Sequence, residues 1–209
     1  MRKGINKVLN VTGIIFAVVF LLIMAGSIII PKIIFPEFEP LKVTGNYEVQ
    51  TSLYTWEDES RVETFTNTGE NRALTVKFWY PKEEGKYPLV VFSHGAFGVI
   101  DSNNSTYTEL ASHGYVVASI GHPYHAMFVE DANGKTTMVD MDFMTKVYAD
   151  NGEDYTEEAE RRVYEFSVEW MKTRSADMNF VVDTIFELAA KNAEGVFGSI
   201  DTFQLLVLI

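Results

Sequence analysis

The chain has 209 residues, 47% hydrophobic and 13% aromatic, enough apolar mass to bury the core of one domain of ordinary size, which excludes a disordered polypeptide. It has no cysteine, so a disulfide framework, a thiol nucleophile and cysteine-based metal centres are excluded. The net charge of -12 is uneven: Arg2, Lys3, Lys7 and Lys32 stand among residues 1–35 without an acid, leaving 13 basic against 29 acidic residues beyond, a balance that excludes a nucleic-acid reader and suits a soluble exported domain.

Residues 8–31 carry no charge, and at about 1.5 Å per residue such a run crosses a hydrocarbon core of about 30 Å. A cleaved signal peptide is the rival reading. Its apolar stretch is shorter and ends at a small-x-small site, whereas here Ala25-Gly26-Ser27 lies inside the run, which favours an uncleaved anchor. Arg2, Lys3 and Lys7 then place residues 1–7 in the cytoplasm and the chain from residue 35 onward on the outer face of the cell membrane. Pro31, Pro36 and Pro40 are expected to break the helix and make residues 32–44 a stiff linker.

Beyond the linker, residues 47–56 and 73–80 are rich in β-branched and aromatic side chains and flank the turn cluster 66–71, so they are expected to pair as an antiparallel hairpin. Residues 87–92 form the next strand, 102–113 a helix ended by Gly114, and 115–120 a strand without polar alternation, as one covered on both faces should be. Strand, helix and strand in this order make a parallel βαβ unit. Residues 121–152 read as a long polar connection at the edge of a pocket. Asp154 to Glu157 has a capping-box pattern opening a helix with Tyr155, Ala159, Val163, Phe166 and Trp170 on one face; a second helix is expected from near Ser175 with Met178, Val182, Ile185 and Ala189 buried, then a final strand over 203–209.

Three blocks carry a resemblance. Tyr87-Pro88-Leu89-Val90-Val91-Phe92-Ser93-His94-Gly95, then Leu110-Ala111-Ser112-His113-Gly114-Tyr115-Val116-Val117-Ala118, then residues 177–188 with Gly198-Ser199-Ile200-Asp201, are similar to consecutive segments of the platelet-activating-factor acetylhydrolase family of serine esterases. The resemblance implies an α/β class: the N-terminal part of an α/β-hydrolase sheet over residues 45–209, an antiparallel hairpin followed by parallel strands with flanking helices, preceded by one transmembrane helix. It implies a small ester or phospholipid-like substrate. The backbone N–H of Ala96, supported by His94 and Gly95, matches the family's oxyanion donor. Phe97, His122, Tyr124 and His125 are expected in a pocket loop at the carboxyl ends of the strands. No Gly-x-Ser-x-Gly occurs, and the family register puts Ile209 at the first glycine of its Gly-His-Ser turn, so no triad residue is assigned and the triad is expected downstream of Ile209. The chain as it stands is then expected to be inactive, either as part of an anchored carboxylic ester hydrolase or as a non-catalytic membrane-anchored lipid- or acyl-binding module.

Other candidates take ordinary roles. Ser93 reads as structural because no spacing puts a base beside it, His113 as a helix end, and Arg174 with Asp177 as a local salt bridge. Glu157, Glu158, Glu160, Glu165 and Glu169 with Arg161 and Arg162 read as a solvated helix face. His122 and His125 lie near Glu130, Asp131, Asp140 and Asp142, but Pro123 argues against a shared helical face, so neither a metal nor a cofactor is assigned. Asn103 and Asn104 begin sequons that matter only in a eukaryotic secretory pathway.

Overall fold

The computed structural model describes residues 2–34, 41–150, 156–191 and 194–208. The chain forms two units, one through Leu41 and one from Lys42. The first is α1 (Arg2–Ile34), within which Gly13–Ile30 is long and apolar enough to cross a membrane, the kind of segment that also serves as a signal sequence. The helix runs past Pro31 to Ile34. A proline costs one hydrogen bond and some crowding, which kinks or weakens a helix without always ending it. Pro36 and Pro40 lie outside the described residues.

The second unit is a five-stranded sheet. β1 (Val49–Val62) and β2 (Asn71–Pro81) form the expected hairpin in antiparallel register. β3 (Tyr87–Ser93), α2 (Asn104–Ser112) and β4 (Val116–Gly121) form the expected parallel unit, with Leu89 opposite Val116 and Ser93 opposite Ile120. Gly114 follows the helix end at φ +89, a left-handed conformation that favours glycine and supports its place as the stop signal. β5 (Phe128–Glu130) and β6 (Thr136–Met138) make a small separate ribbon, followed by α3 (Met141–Asp150). The stretch read as a long polar connection therefore contains two short strands and a helix; its short strands fall below the length at which hydrophobic periodicity is legible.

A single helix, α4 (Glu157–Ala190), replaces the two expected. No proline or glycine interrupts it, and the buried stripe Arg174, Asp177, Met178, Val181, Ile185 and Ala189 passes straight through the supposed junction at Ser175. Of the expected capping box, Asp154 and Tyr155 lie outside the described residues; the cap observed is Thr156, whose hydroxyl accepts from the Ala159 N–H at 3.2 Å. Its first turns are the expected solvated face, with Arg162 near Glu158 and Arg161 near Glu165. β7 (Ile200–Leu208) runs parallel to β3 and gives the order β1-β2-β4-β3-β7.

Two cores follow from strand parity. Leu74, Val76, Phe78, Leu89, Val91, Val116, Ala118 and Ile120 point toward α4 and meet Val181 and Ile185. Trp79, Val90 and Val117 point the other way, toward Tyr107 and Ala111 of α2.

Candidate active site

The same parity that builds the α4-side core carries polar groups to its edge. Ser93 continues the row Leu89, Val91 at the carboxyl end of β3; His122 continues Val116, Ala118, Ile120 just past β4; Arg72 precedes Leu74 and Val76 on β2. On α4, Arg174 and Asp177 lie one turn before Met178 and Val181 and complete the opposing surface. All five are buried. A buried charge must find partners: Asp177 and Arg72 find each other, whereas Arg174 meets only neutral acceptors and its Nη1 has no partner among the described residues.

Asp177 is the hub. One oxygen accepts from Arg72 Nε at 2.7 Å and Arg61 Nη1 at 2.9 Å, the other from Arg72 Nη2 at 2.7 Å and His122 Nδ1 at 2.9 Å. Arg72 Nη1 continues to Glu63 at 2.9 Å. Because the carboxylate can only accept, His122 carries its proton on Nδ1, so its Nε2 accepts from the Ser93 hydroxyl at 2.9 Å. Ser93 Oγ in turn accepts from Arg174 Nη2 at 2.6 Å, and the same Nη2 donates to the carbonyl of His94. Every proton in the chain from Arg174 to Asp177 thus has a fixed direction.

Burial governs the electrostatics. It pushes the His122 imidazole down to about 3, with the Arg174 charge adding to it and the bond to Asp177 opposing it. His94 is likewise brought to about 4 and His125 to about 3, so all three rings are neutral near pH 7. Burial also lowers Arg174 to about 10, against the attraction of Asp177. Burial alone would raise Asp177, but hydrogen bonds from Arg72 and His122 and the Arg72 charge overcome it and hold the carboxyl well below the usual carboxylate range.

The turn after β3, residues 94–98, is held by hydrogen bonds of its own. Gly95 O is held by His94 Nδ1 at 2.7 Å and by the Gly98 N–H at 3.1 Å. Across a trans peptide the C=O and N–H point in opposite directions, so fixing Gly95 O also fixes the direction of the Ala96 N–H. No partner for that N–H is found among the described residues, whereas the next one, Phe97 N–H, is committed to His125 O at 3.0 Å. Phe97 sits at φ 61 and Tyr124 at φ 69, two non-glycine residues in left-handed conformations on the two segments that this bond joins. Gly98 is required by closeness: a Cβ there would lie 2.8 Å from the Cβ of His94.

Ser93, His122 and Asp177 have the connectivity of a serine-hydrolase triad, which corrects the reading that no base lies beside Ser93. The strand register, not sequence spacing, makes the contact. The arrangement is nevertheless sealed: Ser93 is 1% exposed and His122 0%. An acyl carbonyl has no path to an oxygen already engaged on both sides. Arg174 and Asp177, expected to bridge each other, are not ion-paired among the described residues; one helical turn sends them to different strands. His122 and His125, expected in a pocket loop, are both buried, His125 against Phe143 and Trp170. Tyr124 stacks on Phe65, while Phe97 stacks on Tyr148 and remains half-buried beside Ala96. His113 stands at the end of α2 with its Nε2 3.1 Å from Glu109 and 2.9 Å from Thr44.

The family model for platelet-activating factor acetylhydrolase, isoform II, matches residues 59–183, more than half of the chain. The chain belongs to that family. Among solved structures, a ferulic acid esterase from Streptomyces cinnamoneus aligns with a TM-score of 0.58 and 19% identity over 80% of this chain and 53% of its own. A bacterial brefeldin A esterase (18% identity over 57% of this chain and 32% of its own, TM-score 0.31) and a cold-adapted esterase from an Arctic intertidal metagenomic library (16% over 69% and 51%, TM-score 0.33) align too loosely to add to the fold assignment. No curated protein matches in sequence. The fold is that of the α/β-hydrolase esterases, and the chain spans about half the length of the esterase it matches best in topology among these three.

Proposed function

We propose that this chain supplies the oxyanion side of a carboxylic ester hydrolase of the platelet-activating-factor acetylhydrolase-like type, acting on a small ester or phospholipid-like substrate, and that residues 1–209 do not turn esters over by themselves. The observation that carries the reading is the Ala96 N–H, unengaged among the described residues and fixed in direction by the grip of His94 and Gly98 on Gly95 O at the carboxyl end of an internal parallel strand. One such donor contributes about 10² to 10³ in rate, but only to a nucleophile that reaches the substrate. Among the described residues the one serine paired with a histidine is Ser93, and it is sealed. A non-catalytic acyl-binding module is less well supported: the cavity between α2 and the sheet, where Val90, Phe92, Leu110 and Val117 share the lining with Asn103 and Thr106, holds about 170 Å³, below the roughly 300 Å³ at which ligand pockets begin.

The full chain in detergent should show no turnover of p-nitrophenyl acetate above buffer and no labelling by a fluorophosphonate probe. Labelling of Ser93, located by peptide mass, would show that the chain carries its own nucleophile and overturn the proposal.

We also assign α1 to the membrane as an uncleaved anchor with an external hydrolase-like domain, supported by the apolar Gly13–Ile30 segment and the basic residues before it. Expressed in a bacterium, the chain should remain in the carbonate-washed membrane pellet at its full mass of 23.7 kDa, with the domain open to protease only from outside. A soluble product missing the residues through Ser27 would identify a signal peptide instead.

A further inference from the structure

We propose that Arg174 is the positioning residue of the oxyanion turn, set in place by the Ser93–His122–Asp177 chain behind it. This rests on the reading of residues 94–98 as that turn. The Ala96 N–H is oriented by the peptide between Gly95 and Ala96, and that peptide is held through Gly95 O. The peptide one step earlier, between His94 and Gly95, is held by Arg174 Nη2 on His94 O. Two successive peptide planes are therefore fixed by hydrogen bonds, and side-chain packing cannot substitute at the middle residue, since even a Cβ on Gly95 would meet nothing within 4 Å. Loss of the Arg174 contact leaves the first plane free to rotate about the backbone of Gly95, the residue type least able to resist it.

The rest of the network keeps Arg174 in place. Its Nη2 is shared with Ser93 Oγ, which presents a lone pair to Arg174 because its proton goes to His122. His122 can accept that proton because Asp177 takes the one on Nδ1, and Asp177 is anchored by Arg72 and Arg61 from the hairpin. The arrangement resembles a triad, but its proton polarity delivers a donor to a backbone carbonyl rather than an alkoxide to a substrate. It ties β1, β2, β3, the residue just past β4 and α4 to one turn.

Amide hydrogen exchange of the full chain in detergent tests this without any ester. In Arg174→Met, the Phe97 and Gly98 amides, which donate within the turn region, should exchange about tenfold faster or more, while Val117 and Ala118 in β4 stay at the wild-type rate. Arg174→Lys, which keeps a charged donor, should recover part of the protection. Should Arg174→Met fail to fold, Ser93→Ala removes only the hydroxyl and should raise exchange at the same two amides over β4. Unchanged exchange at Phe97 and Gly98, or a rise there only in step with Val117, would overturn the proposal. Either result is independent of whether the chain hydrolyses esters, so failure of the esterase reading would be seen separately.

Discussion

Asp177→Ala is expected to destabilise the second unit by about 3–5 kcal/mol, the cost of leaving buried charges without their counter-ion. The carboxylate is fully buried and accepts from Arg61, twice from Arg72, and from His122. Removing it leaves Arg72, itself buried, with Glu63 alone and strips His122 of the acceptor that fixes its tautomer. Asp177→Asn should cost nearly as much, because its amide keeps one acceptor but in either orientation turns an N–H₂ toward an arginine N–H that can only donate. Tryptophan fluorescence during urea unfolding reads the effect cleanly, since Trp56, Trp79 and Trp170 all lie in the second unit. A loss below about 1 kcal/mol would mean that the ion cluster balances its own desolvation and adds nothing.

That network marks where sequence reading stops. The elements were legible because their signals are local: turn residues at 66–71 bound the hairpin, Gly114 stops α2, and 115–120 has the unbroken apolar run of a covered strand. The turn after β3 was legible because the glycine of His94-Gly95 follows an apolar strand directly. Ser93, His122, Asp177 and Arg72 are separated by tens of residues, and their meeting depends on register, which spacing does not encode: a slip of one residue in β4 would turn His122 away from α4. Two signals were available. Arg174 and Asp177 lie within the apolar stripe of α4 rather than on its charged face, and Ser93 and His122 each continue an apolar strand parity with a polar group. A polar residue at a core position implies a buried partner. Glu63 and Arg61 carried no such mark, because the end of β1 is half exposed and reads like any charged turn.

The stability of the second unit should fall steeply between pH 6.5 and pH 4. His94, His122 and His125 are held neutral in the fold, with values of about 4, 3 and 3 against an ordinary value near 6.5. The unfolded chain therefore binds protons that the folded chain refuses, so stability is complete above 6.5 and drains away as the pH drops toward the folded values. Each ring contributes about 1.4 kcal/mol per pH unit in that window, hence about 2 kcal/mol at pH 5, and the three together reach about 6 kcal/mol as an upper bound. This matches the whole stability of many domains, so cooperative acid unfolding is expected near pH 5. Asp177 acts in the same direction but only at lower pH, since its depressed carboxyl loses its advantage as the unfolded carboxylate begins to protonate near 3.8. Urea midpoints at pH 7, 6 and 5 measure the slope. His125→Phe keeps a ring against Phe143 and Trp170 while removing one titrating group, and should reduce the slope by about a third. A midpoint constant from pH 7 to pH 5 would mean that the imidazoles reach water in the native state and that the chain from Asp177 to Ser93 is not sealed.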